Sequence, residues 1–241
     1  DYTPSGTSSW TQVGGDIDGE AADDTSGFAV SLSSDGSRVA IGAPSNDANG
    51  SNSGHVRIYD FNGSAWAQVG ADIDGEAADD NSGYSVSLSS DGSRVAIGAH
   101  KNDAGGNLAG HVRIYQYNNN SWSQLGDDID GEAATDYSGF SVSLSSDGSR
   151  VAIGGPYNDG NGSDSGHVRI YDYNGSAWVQ VGADINGEAA SDMSGISVSL
   201  SSDGSRVAIG SEKNEENGSD SGHVRIYDYT PSGANSWTQV G

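Results

Sequence analysis

The sequence predicts an all-β fold of tandem four-stranded antiparallel blades, β-propeller-like, with four repeats of about 56 residues plus one extra strand. Three observations lead there. Trp10, Trp66, Trp122, Trp178 and Trp237 are spaced 56, 56, 56 and 59 residues apart, and a fixed period of this size marks a repeat architecture. The stretch SGYSVSLSSDGSRVAIGA at 82–99 returns with small changes from Ser26, Ser138 and Ser194. Within it apolar residues alternate with serines at a period of two, and no stretch carries the period of a helix.

Composition alone points elsewhere. Val, Ile, Leu and Phe make up only roughly 16% of 241 residues and the formal charge is −24, a balance typical of disordered chains. Placement decides against disorder, because the apolar residues recur in strict alternation and the 37 glycines, with Ser, Asn and Asp, suit short strands joined by tight turns.

Each repeat reads as four strands, and the second copy serves as the example. GYSVSLS sets Tyr84, Val86 and Leu88 against Ser85, Ser87 and Ser89. Asp91 and Gly92 form the hairpin turn, where glycine takes a positive φ without steric cost. RVAIGA then puts Val95 and Ile97 on one face and the small Ala96 and Gly98 on the other, where another sheet can come close. After the loop HKNDAGGNLAG, the third strand GHVRIYQY alternates Val112 and Ile114 with His111, Arg113 and Tyr115. An NGS or NNS turn leads to the fourth strand beside the Trp, AWAQVG at 65–70 in the first copy, and an acidic link follows, ADIDGEAADDNSG at 71–83. The repeats therefore run 15–70, 71–126, 127–182 and 183–241, with residues 1–14 as an extra fourth-type strand. One such meander is too small to bury both its faces, so each depends on its neighbours. Val86, Leu88, Val95, Ile97, Val112 and Ile114 are the expected core of the second copy.

The order Gly, aromatic, Ser, Val, a turn, VAIGAP and GHVRIY resembles the FG-GAP repeats of integrin α subunits and their bacterial relatives, over nearly the whole chain. Gly27, Gly83, Gly139 and Gly195 fall on the Gly of the FG word, and Gly42, Ala43 and Pro44 spell GAP. Ser26, Ser82, Ser138 and Ser194 stand where the family has Phe, and the later GAP words read Gly98-Ala99-His100, Gly154-Gly155-Pro156 and Gly210-Ser211-Glu212. The resemblance implies propeller blades, usually seven to a ring, and calcium in the hairpin between the first two strands. That hairpin here holds only Asp35, Asp91, Asp147 or Asp203 with an Arg three residues on, too few oxygens for a calcium cage, so this site does not carry over.

The acidic loops are the better metal candidates. Of 34 carboxylates, 26 fall in the links and in the loops after the second strand, which lie at one end of an up-and-down blade. Asp16, Asp18, Glu20, Asp23 and Asp24 crowd the first link, Asp72, Asp74, Glu76, Asp79 and Asp80 the second, and Asp128, Asp130, Glu132 and Asp136 the third. Calcium would relieve their repulsion, although DIDGE lacks the full DxDxDG spacing and a solvated acidic face is the alternative. His55, His111, His167 and His223 recur once per repeat, and a zinc site built of them would need several to converge, which equivalent positions on separate blades do not do. The recurring Trp suits edge packing, with sugar stacking as the alternative. Asn49, Asn62, Asn119, Asn161, Asn174 and Asn217 head glycosylation sequons that are also good turns.

No reaction can be read from these residues. There is no cysteine, no 18-residue apolar run to span a membrane and no basic patch for nucleic acid, and serines abound without a nucleophile elbow. Residues 1–14 and 228–241 are nearly identical, which gives four full sets of four strands and one strand more than a four-bladed ring can place. The expectation is a non-enzymatic extracellular or cell-surface structural and adhesive repeat, a segment or protomer of an array that continues head-to-tail, with a glycan-binding propeller as the alternative.

Overall fold

The computed structural model describes residues 2–3, 9–231 and 236–241. The fold is all-β, as the alternation predicts. Blade 1 comprises Ala29–Leu32, Arg38–Ala43, His55–Phe61 and Trp66–Gln68, hydrogen-bonded antiparallel in that order from axis to rim. Blade 2 repeats it with Ser85–Leu88, Arg94–Ala99, His111–Asn118 and Ser121–Gln124, and blade 3 with Ser141–Leu144, Arg150–Gly155, His167–Tyr173 and Trp178–Gln180. Blade 4 is Ser194–Leu200, Arg206–Ser211, His223–Thr230 and Ser236–Gln239. At the start of the chain Tyr2–Thr3 pairs with Ser9–Trp10, so the extra segment carries the end of a third-type strand as well as a fourth-type one.

One part of the predicted link is strand. Ile73–Asp74 pairs with His55 and Val56, and Ile129–Asp130 and Ile185–Asn186 pair likewise in the next two blades. The cause is apolar burial: Val69 N–H still bonds Ile58 O, the chain bulges at 70–72, and Ile73 then drops into the core to rejoin the rim.

Blades pack face to face around an arc. Ala40, Val56, Ile58 and Ile73 of blade 1 meet Leu88, Val95, Ile97 and Tyr115 of blade 2, with Val86 and Trp122 at the margin, and the two later boundaries repeat the arrangement. All six expected core residues lie in it, Val86 only half-buried and the other five buried. Hydrogen bonds tie the boundaries at both ends. Ser34, Ser90 and Ser146 N–H each donate to the serine carbonyl of the next hairpin at 2.8 Å. The Trp66, Trp122, Trp178 and Trp237 indoles donate back to Val13, Val69, Leu125 and Val181 carbonyls at 2.7–2.9 Å.

The two end blades each present an uncovered face. On blade 1, Phe28, Val30 and Leu32 are 54%, 64% and 59% exposed, whereas Leu88 and Leu144 at the position of Leu32 are 7% exposed. On blade 4, Val224 is 66% and Ile226 39% exposed, against 0–2% for Val56, Val112, Val168, Ile58, Ile114 and Ile170.

Candidate functional site

The loop end of the arc brings the link carboxylates together, each at its own task. Asp16, Asp72 and Asp128 accept from the Gln four residues earlier, at 2.8, 2.5 and 2.6 Å. Asp18, Asp74 and Asp130 offer backbone carbonyls to Arg57, Arg113 and Arg169 at 2.6–2.8 Å. Asp23 and Asp79 sit in left-handed turns, with φ of 68° and 66°. Asp24, Asp80 and Asp136 are buried and accept from the N–H groups of Ala21, Ala77 and Ala133 at 3.1 Å, and Asn46 and Asn102 also donate to Asp24 and Asp80. These last three tie the loop into its blade, and burial raises the Asp80 carboxyl above its ordinary range.

Glu20, Glu76 and Glu132 go elsewhere. Glu76 and Glu132 reach from the end of a rim strand, and Glu20 from the irregular segment before blade 1, to the His that opens the third strand of the following blade, where the Asp of that blade's bulge also approaches. The resulting clusters are Glu20, His55 and Asp72; Glu76, His111 and Asp128; and Glu132, His167 and Asp184. In all three the imidazole is buried and Nδ1 has no hydrogen-bond partner. Burial, helped by Arg113 and Arg169, pushes His111 and His167 down to about 4, so both are neutral near pH 7. Burial also pushes Glu76 and Glu132 up. A fourth group, Glu188, Glu216 and His223, differs in taking its second carboxylate from the loop after the second strand.

The expectation that the histidines stand apart from one another holds, but the inference that they therefore meet no metal-ligating partners does not. Their partners are carboxylates, 35 residues before and 17 after in sequence for His55 (Glu20 and Asp72). The one available signal was the shared 56-residue phase of Glu, His and Asp.

Other recurring residues are structural. The N–H of Ser37 and the hydroxyls of Ser33 and Ser37 hold the Asp35 carboxyl down at about 2, as a turn acceptor needs. Arg38 and Arg150 grip Asp60 and Asp172 with two bonds each, of 2.5–2.7 Å. Among the sequon residues, Asn62 and Asn174 cap their own hairpins by accepting from Ser64 and Ser176, while Asn49 and Asn161 donate to link carbonyls. Asn119 lies in a left-handed turn, and Asn217 is exposed. No helix is long and apolar enough to cross a membrane among the described residues.

His100, Tyr137 and Tyr157, which break the repeat, gather at the loop end between blades 2 and 3. His100, Tyr137, Phe140 and Tyr157 line a groove of about 420 Å³ with Thr135 and Asp164, and the equivalents of Tyr157 are Ser45, Lys101 and Lys213.

Residues 17–59 match the FG-GAP repeat, in accord with the resemblance seen in the sequence. No curated protein matches the chain in sequence. Among solved structures it is similar to the Kuenenia stuttgartiensis hydrazine synthase (TM-score 0.53, 13% identity, covering 94% of this chain and 53% of that one). It is also similar to the periplasmic gluconolactonase PpgL of Pseudomonas aeruginosa (0.56, 14%, 88% and 56%). A third is a putative 6-phosphogluconolactonase of Bacteroides uniformis (0.50, 12%, 89% and 71%). The chain thus spans about half the length of the first two, and at these identities the likeness is one of fold.

Proposed function

We propose that this chain is a non-enzymatic structural and adhesive module of an extracellular or cell-surface assembly, joined head-to-tail through its uncovered blade faces. The observation that carries the reading is the contrast between Val224 and Ile226, exposed on blade 4, and the same residues of blades 1 to 3, all covered by the next blade. A face matched to that pattern stands open on blade 1, where Val30 and Leu32 occupy the positions that Val86 and Leu88 use to cover blade 1. Contact of one face with the other on a second copy is heterologous and leaves a free face at each end, the rule for filaments. Near-identity of the copies suits a scaffold, and the net charge of −24 keeps such an assembly soluble.

The test is sedimentation of the full chain over a concentration series, beside Leu32→Glu and Ile226→Glu. The parent is expected to form chains, each variant to stay monomeric, and an equimolar mixture of the two to stop at dimers. A parent that remains monomeric throughout refutes the reading.

A glycan-binding role is the second reading, favoured by the groove at Tyr137, Phe140 and Tyr157, whose aromatic faces and copy-specific residues suit sugar stacking. It predicts glycan-array signals lost in Tyr157→Ala; the Trp122 and Trp178 indoles donate across blade boundaries, which fits the edge-packing role.

A further inference from the structure

We propose that three repeated positions, one between the N-terminal segment and blade 1 and two at the boundaries of blades 1 and 2 and of blades 2 and 3, each hold a divalent transition-metal ion, zinc being the representative, on Glu20, His55 and Asp72, on Glu76, His111 and Asp128, and on Glu132, His167 and Asp184. His Nδ1 lies 3.9 Å from the Glu Oε2 in all three and 3.8–4.0 Å from the Asp Oδ2. Those separations are too long for hydrogen bonds and a few tenths of an ångström beyond the roughly 3.3–3.6 Å between two ligands of a tetrahedral zinc bound at roughly 2.0–2.2 Å, so a small inward turn of the carboxylates brings the three atoms onto one ion. The buried Nδ1 atoms of His55, His111 and His167 are without any other partner and point into this space.

The remaining oxygens are already committed. The second oxygen of Asp72, Asp128 and Asp184 accepts from Gln68, Gln124 and Gln180, and the second oxygen of each Glu faces Arg57, Arg113 or Arg169 at 3.4–3.6 Å. Such outer contacts aim a ligand and hold it. The guanidinium is kept aside by its bond to the Asp18, Asp74 or Asp130 carbonyl. One imidazole nitrogen with two carboxylates suits zinc and its neighbours in the first transition row, whereas calcium takes six to eight oxygens. Three protein ligands leave a fourth position on the exposed Glu side for water. Because Glu76 and Glu132 follow one blade's rim strand and the other two ligands belong to the next, those two ions would staple blade to blade, and the ion at Glu20 would tie the N-terminal segment to blade 1.

The full chain, stripped with chelator, is titrated with zinc chloride by calorimetry and with cobalt(II) by visible absorption. Three ions per chain, a raised melting midpoint and no displacement by excess calcium are expected. Glu76→Gln and Asp128→Asn, both at accessible carboxylates, should each lower the stoichiometry by one while keeping the parent's far-ultraviolet spectrum; His111→Asn should do the same if it folds. No zinc uptake, displacement by calcium, or a stoichiometry unchanged in both carboxylate variants overturns the proposal.

Discussion

A β-carbon on Gly98 would lie 2.0 Å from the carbonyl oxygen of Gly139, so the second glycine-bearing word of one blade and the first of the next are two sides of one contact. Gly42 meets Gly83 and Gly154 meets Gly195 at the same 2.0 Å. Backbone against backbone leaves no flexible group to yield. Gly98→Ala is therefore expected to wedge blades 2 and 3 apart and to cost roughly 1–3 kcal/mol in urea unfolding. Gly210 of blade 4 faces only the Ser197 side chain, so Gly210→Ala should cost under about 1 kcal/mol, and equal losses at the two sites would contradict the packing described.

The Trp122 indole gives its hydrogen to Val69 O at 2.9 Å, and the Arg38 guanidinium lies 5.8 Å from its ring centroid. Trp122→Phe keeps a ring at the boundary but strands a carbonyl. The expected loss is about 1–2 kcal/mol in chemical denaturation, with glycan binding, if any, untouched.

His100 gives stability a pH dependence of its own. Burial against Tyr84, with Lys101 nearby, drives its pKa down to about 3. Between an unfolded value near 6.5 and this folded value the unfolded chain binds the extra proton, so stability is whole above about 6.5 and drains as pH falls toward 3. Blades 1 and 3 carry Pro44 and Pro156 at this place. His100→Pro should flatten the slope of melting temperature against pH in that window, whatever its effect at pH 8; an unaltered slope would mean that His100 is not buried as described.

Val13 accepts from Trp66 at 2.9 Å, in the place that Val69 takes against Trp122. In a head-to-tail contact Val240 of a second copy would need that place. Deleting residues 1–14 should therefore strengthen self-association in sedimentation, and weaker association than the parent's would show instead that the segment builds the contact.

Alternation of Val95 and Ile97 with Ala96 and Gly98, and the Asp91-Gly92 turn, are local properties of the chain, and they determined the strands, their order and most of the core before any contact was known. The 56-residue period likewise determined that blades stack. Ile73 was missed as strand because a bulge at 70–72 hides its alternation, and burial of one side chain restores the ladder. Only the tertiary structure decided that Glu76, His111 and Asp128 share a space and that Val224 is open while Val168 is closed. Which atoms meet across a boundary depends on the angle and separation of two packed sheets, and those follow from side chains far apart in sequence interlocking at once.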